Sequence, residues 1–211
     1  GNAQSVSVAR ALHNRMRALI DAIDAGAFGE VKHILHIGIG GSALGPDLLV
    51  DALGRESQRY DVAIVSNVDG AALAEAVKSF DPAKTLVAIA SKTFTTAETL
   101  LNATSAIEWM SEAGVEDPMA QMIALTAMPE RALEWGIDES RILPFQESVG
   151  GRYSLWSSIG FPAAVALGAL PTASAARWAV VGGGAAAGAP VPGASAAALR
   201  RTGAGSATLG A

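Results

Sequence analysis

The chain has 211 residues, of which 50% are hydrophobic and 17% are charged, so it can bury one ordinary core and is too apolar for disorder over most of its length. Its net charge of −5 argues against a nucleic-acid partner, while local loops and helix ends could still hold an anion. The absence of cysteine excludes a disulfide framework and thiolate chemistry and fits a reducing compartment.

Gly1 stands where a start Met would, so the numbering is expected to begin inside a longer product, and no charged-then-apolar leader opens it. No run reaches the ~18 apolar residues of a membrane span. The nearest, Ile159 to Leu170, is short and carries Pro162 and Gly168. The expectation is a soluble, cytoplasmic protein with neither membrane nor nucleic acid as partner.

From Ser5 to Ala25, Val8, Leu12, Met16, Leu19, Ile20 and Ile23 recur at helical spacing, with Arg10, Arg15 and Arg17 on the other face; Gly26 ends the helix. Val31 to Ile37 is a short β-branched run that stops at glycines and reads as a strand. A helix from about Pro46 to Leu53 follows, with proline suited to its first turn. The alternation then repeats. Strands are predicted at Asp61 to Ser66, Thr85 to Ala90, Met122 to Thr126 and Arg141 to Leu143. Helices are predicted at Gly70 to Phe80, Thr96 to Ala113, Glu130 to Trp135 and Tyr153 to about Leu167, the last bent at Pro162. Short strands without polar alternation are buried on both faces, and five of them separated by helices predict an α/β fold with a doubly wound, five-stranded parallel sheet. Ligands of such sheets sit beyond the carboxyl ends of the strands.

The expected division is an N-terminal helix over residues 1–30, a ligand-binding α/β domain over 31–168, and a low-complexity tail over 169–211. Pro171 to Ala211 is dominated by Ala and Gly, contains neither Asp nor Glu, and has no period. A natural flexible tail and an out-of-frame translation both fit, and the abrupt change of composition favours the second.

Three segments fall at strand carboxyl ends. In Gly38-Ile39-Gly40-Gly41-Ser42-Ala43-Leu44-Gly45-Pro46, glycines bring N–H groups close to a ligand and Ser42 adds a hydroxyl near a helix start. The segment also satisfies the dinucleotide pattern through Gly38, Gly40 and Ala43, so a nicotinamide-dependent enzyme is an alternative, and a ligand-free turn is another. In Ser91-Lys92-Thr93-Phe94-Thr95-Thr96, four hydroxyls and an ammonium cluster before a helix, which suits a phosphate dianion. An ordinary N-cap needs only one of those hydroxyls. In Gly150-Gly151-Arg152-Tyr153-Ser154-Leu155-Trp156-Ser157, a guanidinium beside two glycines could meet a developing anion; taken alone, a surface arginine is the simpler reading.

In order and spacing, Gly38 to Pro46, Ser91 to Thr99 and Gly150 to Ser157 closely resemble three signature segments of the glucose-6-phosphate isomerase family, over roughly residues 1 to 168. The resemblance implies a sugar isomerase (SIS) domain and aldose–ketose isomerisation of glucose 6-phosphate and fructose 6-phosphate through a cis-enediolate, without metal or redox cofactor. It implies that Ser42, Ser91, Thr93 and Thr96 hold the sugar phosphate, that Gly41 and Lys92 line the sugar site, and that Arg152 stabilises the enediolate. The family's glutamate base, its ring-opening histidine and a further C-terminal lysine find no match after Leu170. The complete family enzyme is a homodimer. The chain as given is therefore expected to be an inactive sugar-phosphate-binding portion, with a non-catalytic SIS module as the other reading.

The remaining candidates have bland readings. His36 is expected to be a packed core residue, and His33, three positions earlier, faces the opposite side of the strand, which disfavours a shared metal. His13 should be solvated on the first helix, and Glu98 should complement a helix dipole. Trp109, Trp135 and Trp156 read as core or contact residues. The dinucleotide alternative wants an acid at the end of the second strand, where Ser66-Asn67 stands with Asp69 just beyond.

Overall fold

The computed structural model describes residues 3–54 and 59–167. They form a five-stranded parallel sheet flanked by helices on both faces. In chain order the elements are α1 (Ala3–Asp24), β1 (His33–Gly38), α2 (Leu44–Gly54), β2 (Asp61–Val65), α3 (Gly70–Ala76), β3 (Thr85–Ala90), α4 (Ala97–Glu112), β4 (Met122–Thr126), α5 (Pro129–Glu134), β5 (Ile142–Pro144) and α6 (Phe161–Ala166). The expected tail, 169–211, lies outside the described residues.

The sheet order is β2-β1-β3-β4-β5, with every neighbouring pair parallel. Strands buried on both faces explain the β-branched runs. Leu35, Ile37, Val87, Ile89, Met122 and Ala124 pack one face against α3, α4 and α5, through Leu73, Ala103, Ala106, Met110 and Ala132. Ile34, Leu86, Ala88, Ile123 and Leu125 pack the other against α1 and α6, through Leu19, Ile20, Ile23, Phe161 and Val165. The N-terminal helix thus shares the sheet's own core. α2 closes that face beside α6, with Val50 against Ala163 and Ala166.

Two sequence expectations change. β2 is an edge strand and is buried only toward its carboxyl end, at Val65. Lacking a second neighbour, it does not share the burial of β1, β3 and β4. The helix expected from Tyr153 to Leu167 is broken: 3-10 turns occupy Gly151–Trp156 and Ser158–Gly160, and α6 starts afresh at Phe161. The break falls at Ser157, whose extended backbone interrupts the helix and whose Oγ accepts from the Ile159 N–H as a cap. Pro162 therefore bends nothing; it occupies the first turn of α6, where its missing N–H costs no hydrogen bond. Among the described residues no helix is long and apolar enough to cross a membrane.

Candidate functional site

β1 pairs with β2 on one side and β3 on the other, so the connections from β1 to β2 and from β2 to β3 leave a crevice between the carboxyl ends of β1 and β3. The register there pairs Gly38 with Ala90. Ile39 and Ser91, the next residues, leave the sheet side by side. The two motifs singled out in the sequence are consequently neighbours.

The first bend is a 3-10 turn, Gly40–Ser42, closed by Ser42 N–H to Ile39 O (3.1 Å) and Ala43 N–H to Gly40 O (3.0 Å). Gly40 has a left-handed φ of +55°, which favours glycine. Gly41 needs glycine for a different reason. A Cβ there would lie 2.7 Å from the backbone carbon and oxygen of Gly151 in the third segment. The two loops touch backbone to backbone, and Ser154 ties them: its buried Oγ sits 2.7 Å from both Gly41 O and Gly151 O.

The second bend turns at Phe94, the only described non-glycine residue with a left-handed backbone (φ +51°). Phe94 N–H donates to Ser91 O (3.2 Å), and the Phe94 ring is buried edge-on to Trp135, 6.0 Å away. Ser91 Oγ lies 3.0 Å from Thr96 Oγ1, and Thr93 Oγ1 lies 2.8 Å from Thr95 Oγ1. Thr96 is the N-cap residue of α4, yet its side chain makes no cap bond and faces Ser91 instead. The cluster is therefore not explained by capping. Lys92 and Thr93 are exposed, and the Lys92 ammonium reaches toward the third segment, 3.6 Å from where a Cβ on Gly150 would stand.

Backbone carbonyls are as important as donors, because an inward carbonyl would repel an anion. Here four carbonyls of the two bends are engaged by the scaffold. Gly41 O accepts from Ser154, and Ser42 O from His36 Nε2 (2.7 Å). Lys92 O accepts from Thr126 Oγ1 (3.1 Å) and Ala127 N–H (3.0 Å), and Thr93 O from Arg131 Nη1 (2.7 Å).

His36 is fully buried, as expected of a core residue, but it also holds a loop. Only an N–H can bond a carbonyl, so Nε2 carries the proton, and Nδ1 is left buried without a partner. Burial lowers the imidazole to about 4, partly offset by the bond to Ser42. It is neutral at physiological pH. His33 faces the other way, stacked on Phe80 at 4.5 Å and 3.3 Å from Asp61. His13 is exposed but not merely solvated: its Nε2 bonds Trp156 O (3.0 Å) and braces the third segment. Among the described residues no group of three or more His, Asp or Glu side chains is arranged to hold a metal ion.

Of the residues singled out in the sequence, Gly41, Ser42, Ser91, Lys92, Thr93 and Thr96 gather at the β1/β3 crevice. The backbone of Arg152 lies in the 3-10 turn that touches Gly41. Sequence reasoning missed Arg131, Ser154 and the loop-holding bond of His36. Each acts on a backbone carbonyl, and no spacing rule reports such a contact.

A family model described as phosphoglucose isomerase matches residues 1–172. The chain is 75% identical over 168 residues to the glucose-6-phosphate isomerase of Sphingopyxis alaskensis, an alignment covering 80% of this chain and 34% of that protein. Against the enzyme of the same name from Zymomonas mobilis it is 73% identical, covering 80% of this chain and 33% of the relative. Among solved structures it is similar to a glucose-6-phosphate isomerase from Chlamydia trachomatis, with a TM-score of 0.64 and 26% identity over 77% of this chain and 31% of that one. The chain thus spans about a third of the length of the curated relatives it matches.

Two outcomes test this geometry. Gly41→Ala should destabilise the fold by roughly 2–3 kcal/mol, since two backbones must separate. Gly40→Ala should cost only about 1 kcal/mol of backbone strain. Equal losses in urea unfolding would contradict the loop contact. The second outcome concerns His36, which between pH 6.5 and about 4 binds fewer protons folded than unfolded. Its contribution is complete above pH 6.5 and is lost as pH falls through that window, by roughly 3 kcal/mol in all. Unfolding curves of the wild type minus those of His36→Gln should show the slope, and a flat difference would contradict the assignment.

Proposed function

The chain belongs to the phosphoglucose isomerase family, and from that premise we propose that its β1/β3 crevice holds the phosphate of glucose 6-phosphate and fructose 6-phosphate. One observation carries the reading: a hydroxyl-rich bend and a glycine-rich bend leave paired positions of adjacent strands, with the carbonyls of Gly41, Ser42, Lys92 and Thr93 engaged by the scaffold. A dianion needs many donors at once and few lone pairs facing it. Ser42, Ser91, Thr93 and Thr96 provide hydroxyls, and the start of α4 provides backbone N–H groups with a favourable dipole. Gly41 and Lys92 line the sugar beyond the phosphate.

In the complete enzyme, held in the cytoplasm and acting as a homodimer, a base takes the C2 proton of the open-chain aldose. Negative charge then develops on the enediolate oxygens, the O2 hydroxyl proton passes to O1, and return of the abstracted proton at C1 gives the ketose. Arg152 is the group proposed to stabilise that charge, a task for a fixed guanidinium in a site closed to water. No metal or redox cofactor enters these steps. The 211-residue chain, which spans about a third of the length of its relatives, is proposed to bind sugar phosphate without turning it over, since a positioned base typically supplies about 10²–10⁴-fold.

Two observations weigh against the nicotinamide alternative. The strand order is not the 3-2-1-4-5-6 of the dinucleotide fold. Asp69, the acid nearest the end of β2, is the N-cap of α3 and accepts from Ala71 N–H at 2.9 Å.

Fructose 6-phosphate should raise the unfolding temperature of the chain where NAD does not. Thr93→Ala and Thr96→Ala should each weaken its binding by about tenfold in calorimetric titration, as expected for a lost hydrogen bond to a charged group. Unchanged affinity would overturn the phosphate assignment. In the complete enzyme, Arg152→Ala should lower kcat far more than it raises KM, whereas equal losses would mean that the arginine grips the ground state.

A further inference from the structure

We propose that His36 and Arg131 are positioning residues that set the two anion-binding bends from behind, each by holding one backbone carbonyl. The proposal deepens the reading of the crevice as a phosphate site and rests on it.

The two side chains come from different elements and make the same kind of contact. His36, in the middle of β1, donates from Nε2 to Ser42 O at 2.7 Å. Arg131, in α5, donates from Nη1 to Thr93 O at 2.7 Å. Ser42 and Thr93 are two of the four hydroxyl residues assigned to the phosphate, and they lie on different bends. A carbonyl fixes the plane of the peptide that follows it, and that plane limits ψ of the residue that owns the carbonyl. The direction of the Ser42 and Thr93 side chains is set by the same Cα, so holding the carbonyl narrows where each hydroxyl can stand.

The second bend needs such help most. Thr93 precedes Phe94, whose left-handed backbone (φ +51°) persists in a bulky residue only when its surroundings over-determine it. α5 provides two holds: Arg131 on the Thr93 carbonyl, and Trp135, just past its end, against the buried Phe94 ring. In the first bend the hold is costly. His36 is buried with Nδ1 unpartnered, a penalty that plain packing would avoid with leucine. A buried polar group with one unmet atom is explained by what its other atom does. Pre-set hydroxyls lose less freedom on binding, and the gain appears as affinity.

The test compares removal of each donor with its conservative replacement in the 211-residue chain. His36→Leu and Arg131→Met delete the donors, while His36→Gln and Arg131→Lys keep an N–H at similar reach. Dissociation constants are measured by calorimetry for fructose 6-phosphate and for inorganic phosphate, with circular dichroism confirming the fold. The expected result is a loss of about tenfold for both ligands in each deletion, with most of it recovered in the conservative variants. Affinities within twofold of wild type in the deletions, or equal losses in the conservative variants, would overturn the proposal. If His36→Leu does not fold, the surface pair Arg131→Met and Arg131→Lys decides alone. Failure of the unaltered chain to bind either ligand would sink the phosphate reading and the proposal with it, whereas normal wild-type binding with indifferent variants would sink the proposal only.

Discussion

The parallel pairing of β1 with β3 is the constraint on which everything else depends. With Gly38 opposite Ala90, two segments about fifty residues apart in sequence start their turns side by side. The strand order places that pair where the chain winds off in two directions, which is where a crevice opens in an α/β sheet. Ile37, Ile89 and the helices packed on them hold the pairing rigid. A one-residue slip in register would carry these side chains to the wrong face and separate the bends.

Given that placement, the site is built by disposing of unwanted polarity as much as by gathering donors. Gly41 lets the first and third loops meet backbone to backbone, and Ser154 fastens them. Thr126, Arg131 and His36 take up the carbonyls that an anion would find repulsive. Burial keeps His36 neutral, so it acts as a fixed donor and brings no charge into the sheet. The flanking clips are cruder. Asp24 receives both Tyr60 (2.6 Å) and Arg59 (2.8 Å), joining the end of α1 to the entry of β2; burial, and then the bond to Asp24, push the Tyr60 hydroxyl up to about 12.

The sheet was legible because buried parallel strands write themselves as uniform apolar runs: β3 and β4 begin and end where the sequence indicated. Helix ends were less so, and the run after Gly151 misled, because Tyr153 to Leu167 has helical composition while Ser157 caps a new start. The hydroxyl cluster at Ser91 to Thr96 was conspicuous, since it exceeds what a cap requires, and the Thr96 side chain makes no cap bond. The supports were not legible. Arg131 looks like any helix arginine and His36 like any core histidine, for their partners are carbonyls, which every residue carries.

The proposed site grips one anion where the two bends converge. Diffraction from crystals of the chain soaked in fructose 6-phosphate would test it most directly. The phosphorus atom should lie between Ser42 and the Ser91–Thr96 bend, within hydrogen-bond reach of their hydroxyls, with the sugar extending toward Lys92 and Gly151. A phosphate bound elsewhere, with that bend unengaged or turned outward, would contradict it.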